Sequence, residues 1–211
     1  MEIKNINIYN MYEAILNIRL SFKSKDKSDS VSLLPYILSK GLISVYNGCE
    51  LGDNDTKLIG KLLKKQNEYG HQERKFLRQI LVSFDLQAPL YWWKHFDQYR
   101  IAVVSNSEST MHTLLQRELT QDDFEDNLDE QVLDLINQYI ISKDFFNANN
   151  LLPGSFLQER HITLNYETLR NIYFGRQYHK LKLWQYFISV LELLPYSSLL
   201  LGISLEEKNN G

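Results

Sequence analysis

The stretch from Asp85 to His112, DLQAPLYWWKHFDQYRIAVVSNSESTMH, gathers residue types that can do chemistry. Its SNSEST segment (105–110) offers one asparagine amide, four hydroxyls and one carboxylate, and the guanidinium of Arg100 stands just before it. That set suits a polar ligand such as a nucleotide, and loops carried on a scaffold are where such groups concentrate. A second group lies at Asn165, Asn171 and Arg176, spaced by six and then five residues. Five residues along a helix turn a side chain by about 140°, so Asn171 and Arg176 can face two adjacent sites but not the same one. His71, directly after Gly70, is a further candidate, with capping or packing as its plain alternative.

The elements that must position these groups follow from periodicity. Val82, Phe84 and Leu86 alternate with Ser83 and Asp85, which predicts a strand leading into the first group. Ala88-Pro89 then opens a helix loaded with Leu90, Tyr91, Trp92 and Trp93. Upstream, residues 8–22 predict a helix, 21–30 (SFKSKDKSDS) a mobile loop, and 32–43 a short helix broken near Gly41. The segment YNGCELGDND reads as a turn cluster. Asp55 or Thr56 can cap a helix over 57–69, with Leu58, Ile59, Leu62 and Leu63 on one face and Gly70 at its end. Downstream, 111–119 and 130–142 predict helices, Pro153-Gly154 a turn, and 160–164 a short strand. A helix with Leu181, Trp184, Phe187, Ile188, Leu191 and Leu194 ends at Pro195, and the polar tail SLEEKNNG is expected to fray. No internal repeat is visible.

Composition narrows the classes. At 211 residues a single domain over 1–211 is the default. A net charge of −3 supplies no basic stripe for a nucleic-acid polymer, while a small anion needs only two or three local cations. The one cysteine, Cys49, excludes an intramolecular disulfide framework and a Cys-cluster metal site. Six acids crowd TQDDFEDNLDEQ (120–131), but the spacing lacks the EF-hand glycine, and acids before a helix start suit its dipole. No metal is expected. No apolar run reaches 18 residues and no secretory pattern opens the chain, so a cytoplasmic protein without a membrane segment is expected.

The run AP-L-Y through Arg100, followed by Ser105-Asn106, Glu108 and Ser109, resembles the signature region of the flavin-dependent thymidylate synthases. In that family an Ala-Pro-led helix runs into Arg-His-Arg, and a short loop delivers Asn-Glu and a serine. Arg100 matches the third position of the basic triplet, and Ser109 the serine. Gly70-His71 before the strand, and Asn165, Asn171 and Arg176 after a later strand, match two further blocks in the right order. The resemblance spans about residues 70–194. Gln98, Tyr99 and Met111 depart from the family's basic residues, one extra residue separates Asn106 from Glu108, and Glu167 stands where the family has a flavin-side arginine.

The resemblance implies an α/β (α+β) fold with a central, largely antiparallel sheet flanked by helices, assembled as a homotetramer. It implies reductive methylation of dUMP to dTMP, with methylenetetrahydrofolate as one-carbon donor and FAD reduced by NADPH. The implied roles are Arg176 and Ser109 in catalysis and His71, Arg100, Glu108, Asn165 and Asn171 toward the cofactor. Arg100, Glu108, Ser109, Arg160 and Arg176 are the residues implied toward the substrate. The changes at Gln98 and Met111 remove up to two charges from phosphate contacts worth on the order of 1.5–3 kcal/mol each. Lys94, Arg160 or Arg170 are the candidates to compensate. Two other readings stay open: a diverged homologue acting on another pyrimidine nucleotide, and a non-catalytic oligomeric scaffold.

Overall fold

The computed structural model describes residues 1–202, the side chains of 65–71 excepted. The expectations of a ligand role for His71 and of a frayed SLEEKNNG tail lie outside the described residues, while the helix expected to end at Gly70 ends at Tyr69 and is followed by a 3₁₀ segment over Gly70–Gln79. The chain opens with a strand, β1 (Glu2–Tyr9), which buries Ile3, Ile6 and Ile8. Asn5 has φ 52, and this left-handed residue breaks the strict alternation of the strand. The helix expected over 8–22 is therefore shorter: α1 (Met11–Leu16) gives way to a 3₁₀ turn over Asn17–Phe22.

The expected helix over 32–43 is replaced by strands. β2 (Val31–Leu33), β3 (Tyr36–Leu38), β4 (Ile43–Tyr46) and β5 (Gly48–Glu50) occupy this region, with a 3₁₀ turn at Ser39–Gly41. Its β-branched and aromatic residues favour a pleated surface once partners exist. β3 pairs antiparallel with β4, Tyr36 opposite Val45, and β4 pairs parallel with β1, Ile6 opposite Ile43. Gly48 is required at its position, because a Cβ there would stand 2.5 Å from the Tyr36 ring.

Helix α2 (Asp53–Tyr69) begins four residues before the expected start, so Asp55 does not cap it. The cap arrives from the loop expected to be mobile: Asp29 accepts from the backbone N–H of Asn54 at 2.8 Å and of Asp55 at 3.1 Å. Asp55 turns inward instead. It accepts from Arg19 Nε at 2.5 Å and from the hydroxyls of Ser28 and Ser30, each at 2.6 Å.

After β6 (Leu81–Pro89) come α3 (Leu90–Phe96), β7 (Val104–Ser107), α4 (Thr110–Thr113), α5 (Glu130–Ile141) and α6 (Phe145–Leu151). β8 (Leu157–Asn165), α7 (Tyr166–Arg176), α8 (Lys182–Glu192) and α9 (Ser197–Leu200) complete the order. The expected 111–119 helix reduces to α4. The fold is thus α/β, with a central six-stranded sheet of order β3-β4-β1-β6-β8-β7 flanked by helices, and a separate β2-β5 pair.

Chain contacts divide the protein into two compact units. The first comprises Met1–Lys4, Asp85–Arg100 and Ser105–Ile162, and the second Asn5–Phe84, Ile101–Val104 and Thr163–Gly211. Within the first, Leu114, Leu119, Phe124, Ile136, Ile140, Ala148 and Phe156 form one apolar cluster. Trp92, Trp93 and Phe96 of α3 are also buried there, with Trp92 stacked on Phe96 at 5.3 Å. Within the second, Ile8, Met11, Ile43, Val45, Ile59 and Leu77 are buried, as are Tyr166 and Trp184.

Candidate functional site

In the first unit, the candidate groups are organised by β8 and α3. Arg160 points to the same face of β8 as buried Ile162, and its guanidinium lies 4.3 Å from the centre of the Trp93 ring. Its Nε donates to Gln158 Oε1 at 3.0 Å and its Nη1 to Asp97 at 2.9 Å. Gln158 in turn donates through Nε2 to the carbonyl of Glu108, while Glu108 N–H donates to the carbonyl of Glu159. Gln158 thus ties Arg160 to Glu108. Sequence reasoning missed it, and the one available signal was its place two residues before Arg160 on the predicted strand.

The SNSEST segment is not wholly irregular. Residues 104–107 form β7, at the edge of the sheet beside β8, because the carbonyls and N–H groups of β8 supply a partner there. Glu108 and Ser109 follow at its end, both exposed. Helix α3 stops at Phe96, so Arg100 sits in the turn beyond it, exposed, with Nε donating to the Asp97 carbonyl at 3.3 Å. Arg160→Ala is expected to cost about 1–3 kcal/mol, through loss of the stacking and the ion pair. Urea unfolding checks this, and an unchanged midpoint would contradict it.

In the second unit, α7 carries the other group. Asn165 is its N-cap: Oδ1 accepts from the N–H of Thr168 at 2.9 Å, and the residue is buried. Asn171 is exposed. Arg176 closes the helix, where a cation suits the dipole, with its guanidinium 5.0 Å from the Trp184 ring. Glu167, in the first turn, is gripped by Arg78 and lies 3.7 Å from Arg74 Nε. Neither arginine was singled out from the sequence. The usable signal was an acid standing in a position where the resemblance implies a base.

Cys49 is buried, and burial, followed by the charge of Asp55, pushes its thiol up to about 12, so it is no nucleophile. Among the described residues no group of three or more His, Cys, Asp or Glu could hold a metal ion, and no helix is long and apolar enough to cross a membrane.

A six-stranded α/β sheet with these flanking helices defines the fold class, and solved structures place it. The chain is similar to the flavin-dependent thymidylate synthase ThyX from Helicobacter pylori complexed with FAD and dUMP. The TM-score is 0.66 at 16% identity, over 95% of this chain and 97% of that one. A second crystal structure of that enzyme with FAD and dUMP gives the same values. It is also similar to the UMP/dUMP methylase PolB from Streptomyces cacaoi bound with 5-Br dUMP, with a TM-score of 0.59 at 12% identity, over 94% and 95% of the two chains. The fold of this protein is that of the flavin-dependent thymidylate synthases. No family model and no curated protein matches the sequence.

Proposed function

We propose that this protein is a flavin-dependent methyltransferase that converts dUMP to dTMP, using FAD, methylenetetrahydrofolate and NADPH, as a cytoplasmic homotetramer. The observation that carries this reading is fold likeness along nearly the whole chain to enzymes solved with FAD and dUMP. Asn165, which caps α7, and Asn171 and Arg176 on that helix support it, since their order and spacing match the block that the resemblance implies.

The residues present suit a phosphate-bearing aromatic cofactor. The second unit offers the exposed amide of Asn171, the half-exposed guanidinium of Arg78 and the exposed rings of Phe174 and Tyr178. It also holds a buried guanidinium nitrogen, Arg170 Nε, without a hydrogen-bond partner. When bound, reduced FAD supplies the hydride that completes the methyl group.

The chain's own contribution is placement and charge. Because Asn165 Oδ1 is committed to the Thr168 N–H, its Nδ2 is left as the donor toward the cofactor. His71 joins Asn165, Asn171, Arg100 and Glu108 in this role. Arg176 supplies a fixed cation to the uracil carbonyl on which charge builds as C5 becomes nucleophilic. Arginine suits this task because it stays charged and its planar fork matches a pyrimidine edge. Ser109 hydrogen-bonds the nucleotide, Glu108 anchors a ribose hydroxyl, and Arg100 and Arg160 meet the phosphate. The fork of Arg160 is already partly engaged by Asp97 and Gln158, so Arg100 is the more available of the two.

A second reading is favoured by one observation, the likeness to a UMP/dUMP methylase: the pyrimidine nucleotide is UMP. The test is tritium release from 5-labelled dUMP and UMP, with FAD, folate and reductant all present. Release from dUMP supports the first reading, and release from UMP alone supports the second. FAD at a hundred times its Kd should stabilise the protein by about 2.7 kcal/mol, a rise in Tm of roughly 5–10 °C. A colourless protein with no such rise and no release of tritium would leave a non-catalytic scaffold. Sedimentation checks the tetramer, and a monomer at micromolar concentration would contradict it.

A further inference from the structure

Glu167 occupies the first turn of α7 and is nearly buried, yet it is not idle. Arg78 grips its carboxylate through two nitrogens, Nε on Oε2 and Nη2 on Oε1. Arg74 is also near, with Nε 3.7 Å from Oε1. Arg170, one helical turn along α7, is 5% exposed and donates from Nη1 to the Leu200 carbonyl at 3.3 Å, while its Nε has no hydrogen-bond partner. Burial, and then the nearby charge of Arg74, push the Arg170 pKa down to about 10. Two guanidinium groups, those of Arg78 and Arg74, therefore approach one carboxylate.

The three arginines are not equally accessible. Arg74 and Arg170 are buried, at 6% and 5% exposure, whereas the Arg78 side chain is 51% exposed. A guanidinium has five N–H donors on a rigid plane, and the grip on Glu167 uses one edge of it. The Nη1 edge of Arg78 then remains as a second fork, of the shape that takes two oxygens of a phosphate. The buried carboxylate holds that fork in place, which lowers the entropy lost on binding.

We propose that Arg78, locked by Glu167, receives a phosphate of the flavin nucleotide. This rests on the flavin reading above. The charge implied by the resemblance at position 167 has moved to the segment before β6, and Glu167 has become the residue that positions it.

The test compares FAD with riboflavin, which has the same ring system and no phosphate. Both are titrated by flavin fluorescence into wild type, Arg78→Gln, Arg78→Lys and Lys75→Gln, the last an exposed cation in the same segment. Melting temperatures are recorded alongside. Arg78→Gln is expected to weaken FAD about 10- to 100-fold and riboflavin by less than about twofold. Arg78→Lys should fall between, and Lys75→Gln should match wild type. If Arg78→Gln weakens both ligands equally, or neither, Arg78 does not meet the phosphate. If Lys75→Gln weakens FAD as much as Arg78→Gln does, the effect is diffuse charge and the proposal falls. Wild type binding neither ligand would overturn the flavin reading itself, a result distinct from either failure of Arg78.

Discussion

Replacing Arg176 by lysine is expected to lower turnover of the pyrimidine nucleotide by roughly 100-fold or more, while the protein stays folded. The substitution keeps a positive charge at the end of α7, where it suits the helix dipole. A lysine can also rest over the Trp184 ring, which the guanidinium now approaches to 5.0 Å. What it loses is the planar fork, the feature that fits a pyrimidine edge as charge develops. A residue serving only packing would change stability by about 1 kcal/mol and leave catalysis untouched. Tritium release, nucleotide affinity and Tm, measured side by side, separate the two. A lysine variant that matches an active wild type would remove Arg176 from the catalytic role. A wild type inactive on both dUMP and UMP would fail the substrate assignment before Arg176 is reached.

Asp55→Asn should destabilise the protein by about 3–5 kcal/mol, a fall in Tm on the order of 10 °C. Asp55 and Arg19 are both buried, and asparagine would leave the guanidinium charged in a low-dielectric setting without its counter-charge. Replacing both, as Arg19→Met with Asp55→Leu, removes the charges together and should cost much less than either single change. Calorimetry on Arg19→Met, Asp55→Leu and the double variant checks the non-additivity, and simple additivity would contradict it.

The same carboxylate makes stability depend on pH. Burial pushes the Asp55 pKa up, but hydrogen bonds from Ser28, Ser30 and Arg19, with the charge of Arg19, outweigh it and hold the pKa below its ordinary value. A depressed folded-state pKa means the stabilisation is fully present above the unfolded value, near 3.8. It is lost as pH falls through the lower folded value. Unfolding midpoints should therefore hold above about pH 5 and drop below pH 4. Asp55→Asn should flatten that part of the profile.

Local pattern alone determined a good part of this protein. The alternation of Val82, Phe84 and Leu86 marks β6, and a 3.6-residue period marks α5 and α8 with nearly their observed ends. These elements bury one regular face, so neighbours in sequence carry the information. The order of the Ala-Pro helix, the Glu108-Ser109 loop and the Asn165–Arg176 spacing was also legible, and with it the fold that the solved structures share. Tertiary structure decided the rest. Strands β2 to β5 are three or four residues long, too short for periodicity to register, and β4 exists because Ile6 of β1 lies opposite Ile43. Asn5, with its left-handed φ, hid β1 by shifting its alternation. The cap of α2 comes from Asp29, and Glu167 finds Arg78 across 89 positions of sequence. Pairings of this kind depend on which strands become neighbours, and no window along the chain contains both partners.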